Sequence, residues 1–193
     1  QDVLDLVLEN VRTRFEGRGD LMAQIAANNV GQMRLIQLVE KYGFAAVQGY
    51  LAAMMSYSER RLRAGLRQLP AGRYEFEDYL EGDGIHDDLI RLRVALQIEG
   101  DGITFDFEGT DPTVAGPLNC RWPSVAACVF FVIKSLIDPG LPPNAGAYRP
   151  IHIRIPEGSL LSATYPAAVC NANILTSQRI VDVLRGAFLQ AIP

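Results

Sequence analysis

Hydrophobic and polar residues alternate most cleanly in the middle of the chain. Ile90, Leu92, Val94, Leu96 and Ile98 are interleaved with Arg91, Arg93, Ala95, Gln97 and Glu99. After Glu99-Gly100-Asp101-Gly102, the residues Ile103, Phe105 and Phe107 are interleaved with Thr104 and Asp106. A period of two is that of a half-buried strand, and the Gly/Asp segment supplies the turn. The stretch 89–108 therefore reads as a β-hairpin. Ile98 then faces Ile103, and Arg93 faces Glu108 as a cross-strand ion pair. With one apolar and one polar face, the sheet packs against a single layer.

The first seventy residues carry a different period. Met22, Ile25, Val30, Met33, Ile36 and Val39 recur at helical spacing between Asp20, read as the N-cap, and Tyr42-Gly43, a stop signal. A second helical pattern runs through Phe44, Val47, Leu51, Met54, Leu62, Leu66 and Leu69 to Pro70. Two helices joined at one glycine make a helical hairpin or a kinked pair. Further on, Val125 to about Ile137 is apolar nearly all round and reads as a helix buried on most sides, with Ser124 as a cap. A Pro-rich loop, residues 141–150, leads to a short strand at 151–155. The last helix spans 177–191, with Ile180, Leu184, Ala187, Phe188 and Ala191 on one face. The fold class expected is α+β: an N-terminal helical pair, an antiparallel sheet containing the 89–108 hairpin, a buried helix at 125–137 and a C-terminal helix at 177–191. Residues 1–193 read as a single α+β piece, helical over 1–70 and sheet plus helices over 71–193.

Composition narrows the function classes. Eighteen basic and 22 acidic residues give a net charge of -4 over 193 residues, so no general attraction to nucleic acid is expected. The longest apolar run, at 125–133, is too short for the roughly 20 residues that span a bilayer, so no membrane partner is expected. Three cysteines without CxxC spacing argue against a disulfide framework or a zinc ribbon and fit a cytoplasmic setting. The chain begins without Met and stops just after a helical pattern, so it is expected to be a fragment of a longer protein.

Candidate chemistry is sparse. Only His86 and His152 are available as imidazole ligands, and neither has a second ligand at metal spacing. There is no GxSxG elbow and no Walker-type phosphate loop. Glu75, Glu77, Asp78, Glu81, Asp83, Asp87 and Asp88 lack calcium-loop spacing and read as a solvated turn. Cys170 follows Pro166-Ala167-Ala168-Val169, an apolar setting that reads as a buried structural cysteine. Asn173, Thr176, Ser177, Gln178 and Arg179 gather at the start of the last helix. There the free N–H groups and dipole suit an anion or polarised carbonyl, and Arg179 could hold a carboxylate; an elaborate helix cap with a surface arginine is the alternative. Asp106, on the polar face of the hairpin, is a further candidate, its alternative being a strand-surface carboxylate.

Several blocks together resemble the hydantoinase B/5-oxoprolinase family. They are Gly19-Asp20-Leu21 with Gln24-Ile25-Ala26-Ala27-Asn28, Gly31 and Arg34-Leu35; Phe76-Glu77-Asp78-Tyr79-Leu80 with Asp83-Gly84; and Asp106-Phe107-Glu108-Gly109-Thr110-Asp111-Pro112. Gly116-Pro117-Leu118-Asn119, Pro143-Asn144-Ala145-Gly146, Pro156-Glu157-Gly158-Ser159-Leu160 and Thr176-Ser177-Gln178-Arg179-Ile180-Val181-Asp182 continue the series. Members often carry Gly-Asn-Val-Glu before the last block, where this chain reads Ala172-Asn173-Ile174-Leu175.

The resemblance implies part of a B subunit of an ATP-dependent hydrolase that opens a cyclic amide such as hydantoin or 5-oxoproline. It implies a hydantoinase A-type, ATP-binding partner subunit, a cyclic amide small molecule as substrate, and a divalent metal and ATP in the full complex. The metal site is expected outside these residues, so the piece alone is expected to be inactive. In such hydrolases ATP activates the amide carbonyl for attack by a metal-assisted water. Two other readings stay open: part of a ketone carboxylase alpha subunit, or a non-catalytic scaffold segment docking the A subunit.

Overall fold

The computed structural model describes residues 2–192. The chain divides into two units, residues 1–53 and 54–193.

In the first unit, α1 (Asp2–Glu9) precedes α2 (Arg14–Tyr42). Asp20 is therefore not a cap. It lies inside α2, which starts after Thr13 and runs through Gly17 and Gly19. Single glycines cost a helix only about 1 kcal/mol each, so they do not end it. α1 buries Leu8 beside Gly17, and Glu9 pairs with Arg14 at 2.5 Å. Gly43, at φ 83°, ends α2, and its N–H donates to the Val39 carbonyl at 2.8 Å. The chain then enters α3 (Phe44–Leu66). No residue of α2 is buried.

The second unit is built on a four-stranded sheet in the order β1 (Gly72–Glu81), β2 (Leu89–Glu99), β3 (Gly102–Asp106) and β4 (Ile151–Arg154). The expected register of the hairpin holds: Ile98 lies opposite Ile103 and Ala95 opposite Asp106. β1 departs from expectation, since its carboxylates suggest a turn. Its alternation is Tyr74, Phe76, Asp78, Leu80 on one face and Glu75, Glu77, Tyr79, Glu81 on the other, opposite β2 from Gly72↔Ile98 to Glu81↔Leu89. Asp78 at an otherwise apolar position hides that period. β4 joins β3 in parallel, Ile103 opposite Ile151, so the sheet is mixed. Arg93 pairs with Glu75 on β1 and not with Glu108, whose backbone carbonyl accepts from Arg93 at 2.9 Å. The competitor is β1 itself, a strand absent from the sequence-based expectation.

One sheet face carries the core. Leu92, Val94, Leu96, Phe105 and the C-terminal residues of α3, Leu62 and Leu66, are fully buried. Each such side chain contributes about 1.5–3 kcal/mol by leaving water. Two helices cover this face: α4 (Trp122–Leu136) and α6 (Ser177–Phe188). The rings of Phe105 and Phe188 meet at 6.1 Å between centroids. α6 comes so close to β1 that a Cβ on Gly186 would sit 2.5 Å from the Phe76 ring.

α4 differs from expectation in two ways. It starts earlier, after an extended Arg121 and with Pro123 in its first turn, a position where proline loses no hydrogen bond. It is also buried on one side only: Val125, Ala126, Cys128, Val129, Val132 and Ile133 face inward, while Phe131 is 53% exposed. In the Pro-rich loop a short helix, α5 (Ala145–Tyr148), forms because the Asn144 side chain accepts from the N–H groups of Gly146 and Ala147.

Candidate functional site

The motif loops around the sheet are tied together by a few buried polar groups. Asp83, expected in a solvated turn, is only 4% exposed. Its carboxylate accepts from the backbone N–H groups of His86 (2.7 Å), Gly116 (2.7 Å) and Ile85 (2.8 Å). Those donors hold its pKa down at about 2, below the usual 3.8. A group whose pKa is depressed by folding contributes stability above its unfolded value and loses it as the pH falls through the folded value. Wild type is therefore expected to lose stability relative to Asp83→Asn between about pH 4 and pH 2. Thermal unfolding of the two proteins should differ by roughly 5–10 °C at pH 6 and converge near pH 2.

Asn119 is the second tie and is fully buried. Its Oδ1 accepts from Val114 N–H at 2.8 Å, and its Nδ2 donates to the carbonyls of Val114, Gly116 and Ala168. The blocks at 108–112 and 156–159 also meet: Thr113 N–H donates to Gly158 at 2.9 Å and Leu160 N–H to Asp111 at 2.8 Å. Asp111 in turn accepts from the Arg91 backbone N–H at 2.7 Å. These motif residues thus set loop positions.

The polar block before α6 is split by the structure. The segment Ala172–Thr176 forms one π-helical turn that runs straight into α6. Ser177 N–H donates to Ala172, so the helical backbone begins ahead of the polar cluster, and the expected free N–H groups at Ser177 are used internally. Thr176 is fully buried, and its hydroxyl donates to the Leu118 carbonyl at 2.6 Å. Arg179 pairs through Nη1 with Asp78 of β1, and Asp182 stands at 3.9 Å, which clamps α6 to the sheet edge; its Nε is buried without a hydrogen-bond partner. Asp106 lies on the open sheet face, where it accepts from Glu108 N–H at 3.1 Å. Asn173 is exposed, with its carbonyl accepting from the Ser177 hydroxyl at 2.8 Å.

Ser177 and Gln178 are the two candidates that reach a common cavity. They line an open cleft of about 500 Å³ between α4 and α6, with Cys128, Phe131, Val181, Asp182 and Arg185. The Arg185 guanidinium lies 6.0 Å from the Phe131 ring centroid, within reach of a cation–π contact. Sequence reading missed Asp182 and Arg185. Their signal was the 178, 181/182, 185 spacing, which places them on the Gln178 face of α6. Burial pushes the Cys128 thiol up to about 11, and the neighbouring Cys120 adds to it, so Cys128 is not a thiolate at neutral pH. Cys170, expected to be buried, is exposed, because the loop that carries it lies outside the core.

Among the described residues, no three His, Cys, Asp or Glu side chains converge so as to hold a metal ion. His86 sits 3.7 Å from Asp83 and His152 lies on the open sheet face, both exposed. The described residues thus offer no set of side chains that fits a metal ion. No helix among the described residues is long and apolar enough to cross a membrane.

Comparison with known proteins extends over the whole chain. The chain is 33% identical over 202 residues to the B subunit of a putative D-/L-hydantoinase from a Pseudomonas species, an alignment that covers 99% of this chain and 34% of the relative. The crystal structure of an ATP-dependent caprolactamase from Pseudomonas jessenii superposes at a TM-score of 0.85 with 30% identity, over 100% of this chain and 33% of that one. An acetone carboxylase structure shares the fold at a TM-score of 0.75 over 89% of this chain and 24% of that one, with 18% identity. The chain thus spans about a third of the length of the hydantoinase and caprolactamase chains it matches. The hydantoinase B/oxoprolinase family model matches residues 1–193, and the chain belongs to that family.

Proposed function

We propose that the chain is part of the B subunit of an ATP-dependent hydrolase of cyclic amides, opening a hydantoin, 5-oxoproline or lactam ring together with an ATP-binding A-type subunit in the cytoplasm. The observation that carries this reading is end-to-end similarity to the B subunit of a hydantoinase and to a caprolactamase. The ketone carboxylase alternative has a weaker basis, since its representative is similar in fold only. In this reading the divalent metal and ATP are held elsewhere in the assembly, and ATP supplies the activation that an unreactive amide carbonyl needs.

The part assigned to these residues is binding and orientation. A cyclic amide offers an N–H and a C=O side by side, and the Gln178 carboxamide offers the matching acceptor and donor. Gln178 is exposed in the cleft, and the Ser177 hydroxyl beside it, donating to Asn173, keeps an oxygen lone pair to accept. Arg179 acts on the fold by holding α6 to β1 through Asp78.

The test is ATP turnover by the complete B subunit with its A-type partner, offered 5-oxoproline, hydantoins, caprolactam and acetone in turn. Stimulation by a cyclic amide is expected. Gln178→Ala should lower kcat/KM for that amide by about tenfold, the worth of one lost substrate hydrogen bond. Arg179→Ala should lower the melting temperature while leaving KM near wild type. Stimulation by acetone and by no cyclic amide would transfer the chain to the carboxylase reading.

A further inference from the structure

Ser177 is engaged through its N–H, its hydroxyl and its carbonyl before any substrate arrives. In an α-helix its N–H would donate to the carbonyl of Asn173, four residues back. The π-helical turn at Ala172–Thr176 carries that N–H one residue further, to Ala172. The Asn173 carbonyl, relieved of its α-helical donor, takes the Ser177 hydroxyl instead, at 2.8 Å. The Ser177 carbonyl accepts from the Cys128 thiol of α4 at 3.5 Å. One residue earlier, the buried Thr176 hydroxyl fastens the turn to the Leu118 carbonyl at 2.6 Å. All of these groups lie within the second unit. Single π-turns inside helices are frequent at functional sites.

This engagement changes what the hydroxyl can do. A serine hydroxyl has one O–H to give and two lone pairs to receive with. Here the O–H is spent on Asn173, so in the cleft between α4 and α6 the oxygen is an acceptor only. Gln178 beside it has no such fixed polarity. Its carboxamide turns over by rotation about the last side-chain bond and shows either C=O or NH2 at one place. On its own it receives the N–C=O edge of a cyclic amide in either sense. An oxygen that only accepts removes the ambiguity, because the ring N–H can face it and the ring C=O cannot.

We propose that Ser177 is a specificity-determining residue of the cleft: its oxygen takes the ring N–H of the cyclic amide, sets which way round the ring binds, and selects N–H amides over N-alkylated ones. The proposal rests on the reading of the chain as part of a cyclic-amide hydrolase. With the N–H on Ser177, the Gln178 NH2 donates to the ring carbonyl, the group that is to be activated. An N-methyl group in place of the N–H leaves the serine oxygen without a donor and sets a carbon against it. A site built for a hydrogen bond discriminates against a ligand that cannot make it.

The test uses the complete B subunit with its A-type partner and reads ATP turnover. 5-Oxoproline and caprolactam are each offered beside the N-methyl derivative, and hydantoin beside its N-methyl isomers. Methylation also alters the reactivity of the carbonyl, so the readout is the change in preference between wild type and variant. Ser177→Ala should reduce the preference for the N–H amide by about tenfold, the worth of one hydrogen bond, with the loss lying in kcat/KM for the N–H amide. Ser177→Thr should restore the preference, since a threonine hydroxyl in a helix makes the same bond to the carbonyl four residues back. Alanine suits a helix interior, so the melting temperature of Ser177→Ala should stay near wild type. An alanine variant that loses both amides equally, or neither, overturns the assignment of Ser177 while the cyclic-amide reading stands. So does a threonine variant no more selective than alanine. Absence of stimulation by every cyclic amide overturns that reading itself, and the assignment with it.

Discussion

Asn119→Ala is expected to destabilise the second unit by about 3–5 kcal/mol, read from the midpoint of urea unfolding. The size follows from what the side chain serves. Asn119 uses its oxygen and its amide nitrogen on four backbone groups, and it is fully buried. Truncation removes all four bonds and leaves one N–H and three carbonyls of the 114–116 and 168 segments short of a partner. Unsatisfied buried groups cost about 1–3 kcal/mol each, and partial access of water after relaxation brings the sum down to the range given. Asn119→Asp is the informative companion: it keeps the acceptor for Val114 N–H but loses every donor and buries a charge, so it should be at least as damaging at pH 7. A loss below about 1 kcal/mol for the alanine variant would mean that the loops are held by something other than this side chain.

The second large effect is steric. Gly146→Ala places a Cβ 2.0 Å from the Met55 carbonyl oxygen, where two backbone segments meet and neither end is a flexible side chain. Relief requires moving α5 away from α3, and that breaks the 2.8 Å bond from the Asn144 amide to the buried Ser58 hydroxyl. A loss of about 3–4 kcal/mol or failure to fold is expected, in the range of other overpacked sites. Gly31→Ala is the contrast, since it meets open space in the middle of α2 and should be neutral or stabilising by about 0.5–1 kcal/mol. Thermal unfolding of both variants decides the matter: equal behaviour would show that the close approach at Gly146 relaxes easily.

What could be read from the sequence, and what could not, follows from which interactions are local. The hairpin was legible because its alternation runs unbroken from Ile90 to Ile98 and again from Ile103 to Phe107, with the turn residues between them. α6 was legible because Ile180, Leu184, Ala187 and Phe188 repeat on one face. β1 was not, because Asp78 occupies an inward position whose charge is neutralised by Arg179, 101 residues away. A one-dimensional pattern cannot show a partner at that distance. The same pair gives Arg179 a structural task that its side-chain type did not reveal, since a carboxylate of the chain holds its Nη1 while its Nε stays without a partner. Ser177 and Gln178, candidates on the sequence, line the cleft together with Asp182 and Arg185, to which helical spacing from Gln178 points. The burial of Asp83 and Asn119 depends on Gly116, against which the turn closes so tightly that a Cβ there would lie 1.9 Å from the Asp83 carbonyl.

The misread carboxylates of β1 have a consequence beyond the fold. β1 is an outermost strand, ten residues long, and a strand in that place offers a row of unpaired amides to any other extended chain. Glu75 and Asp78 are held by Arg93 and Arg179, and Glu77 and Glu81 add negative charge that a second strand of the same kind would have to approach. The opposite margin, β4, is only four residues long. Both borders of the sheet are thereby protected against strand addition and fibril growth, one by repulsion and the other by brevity.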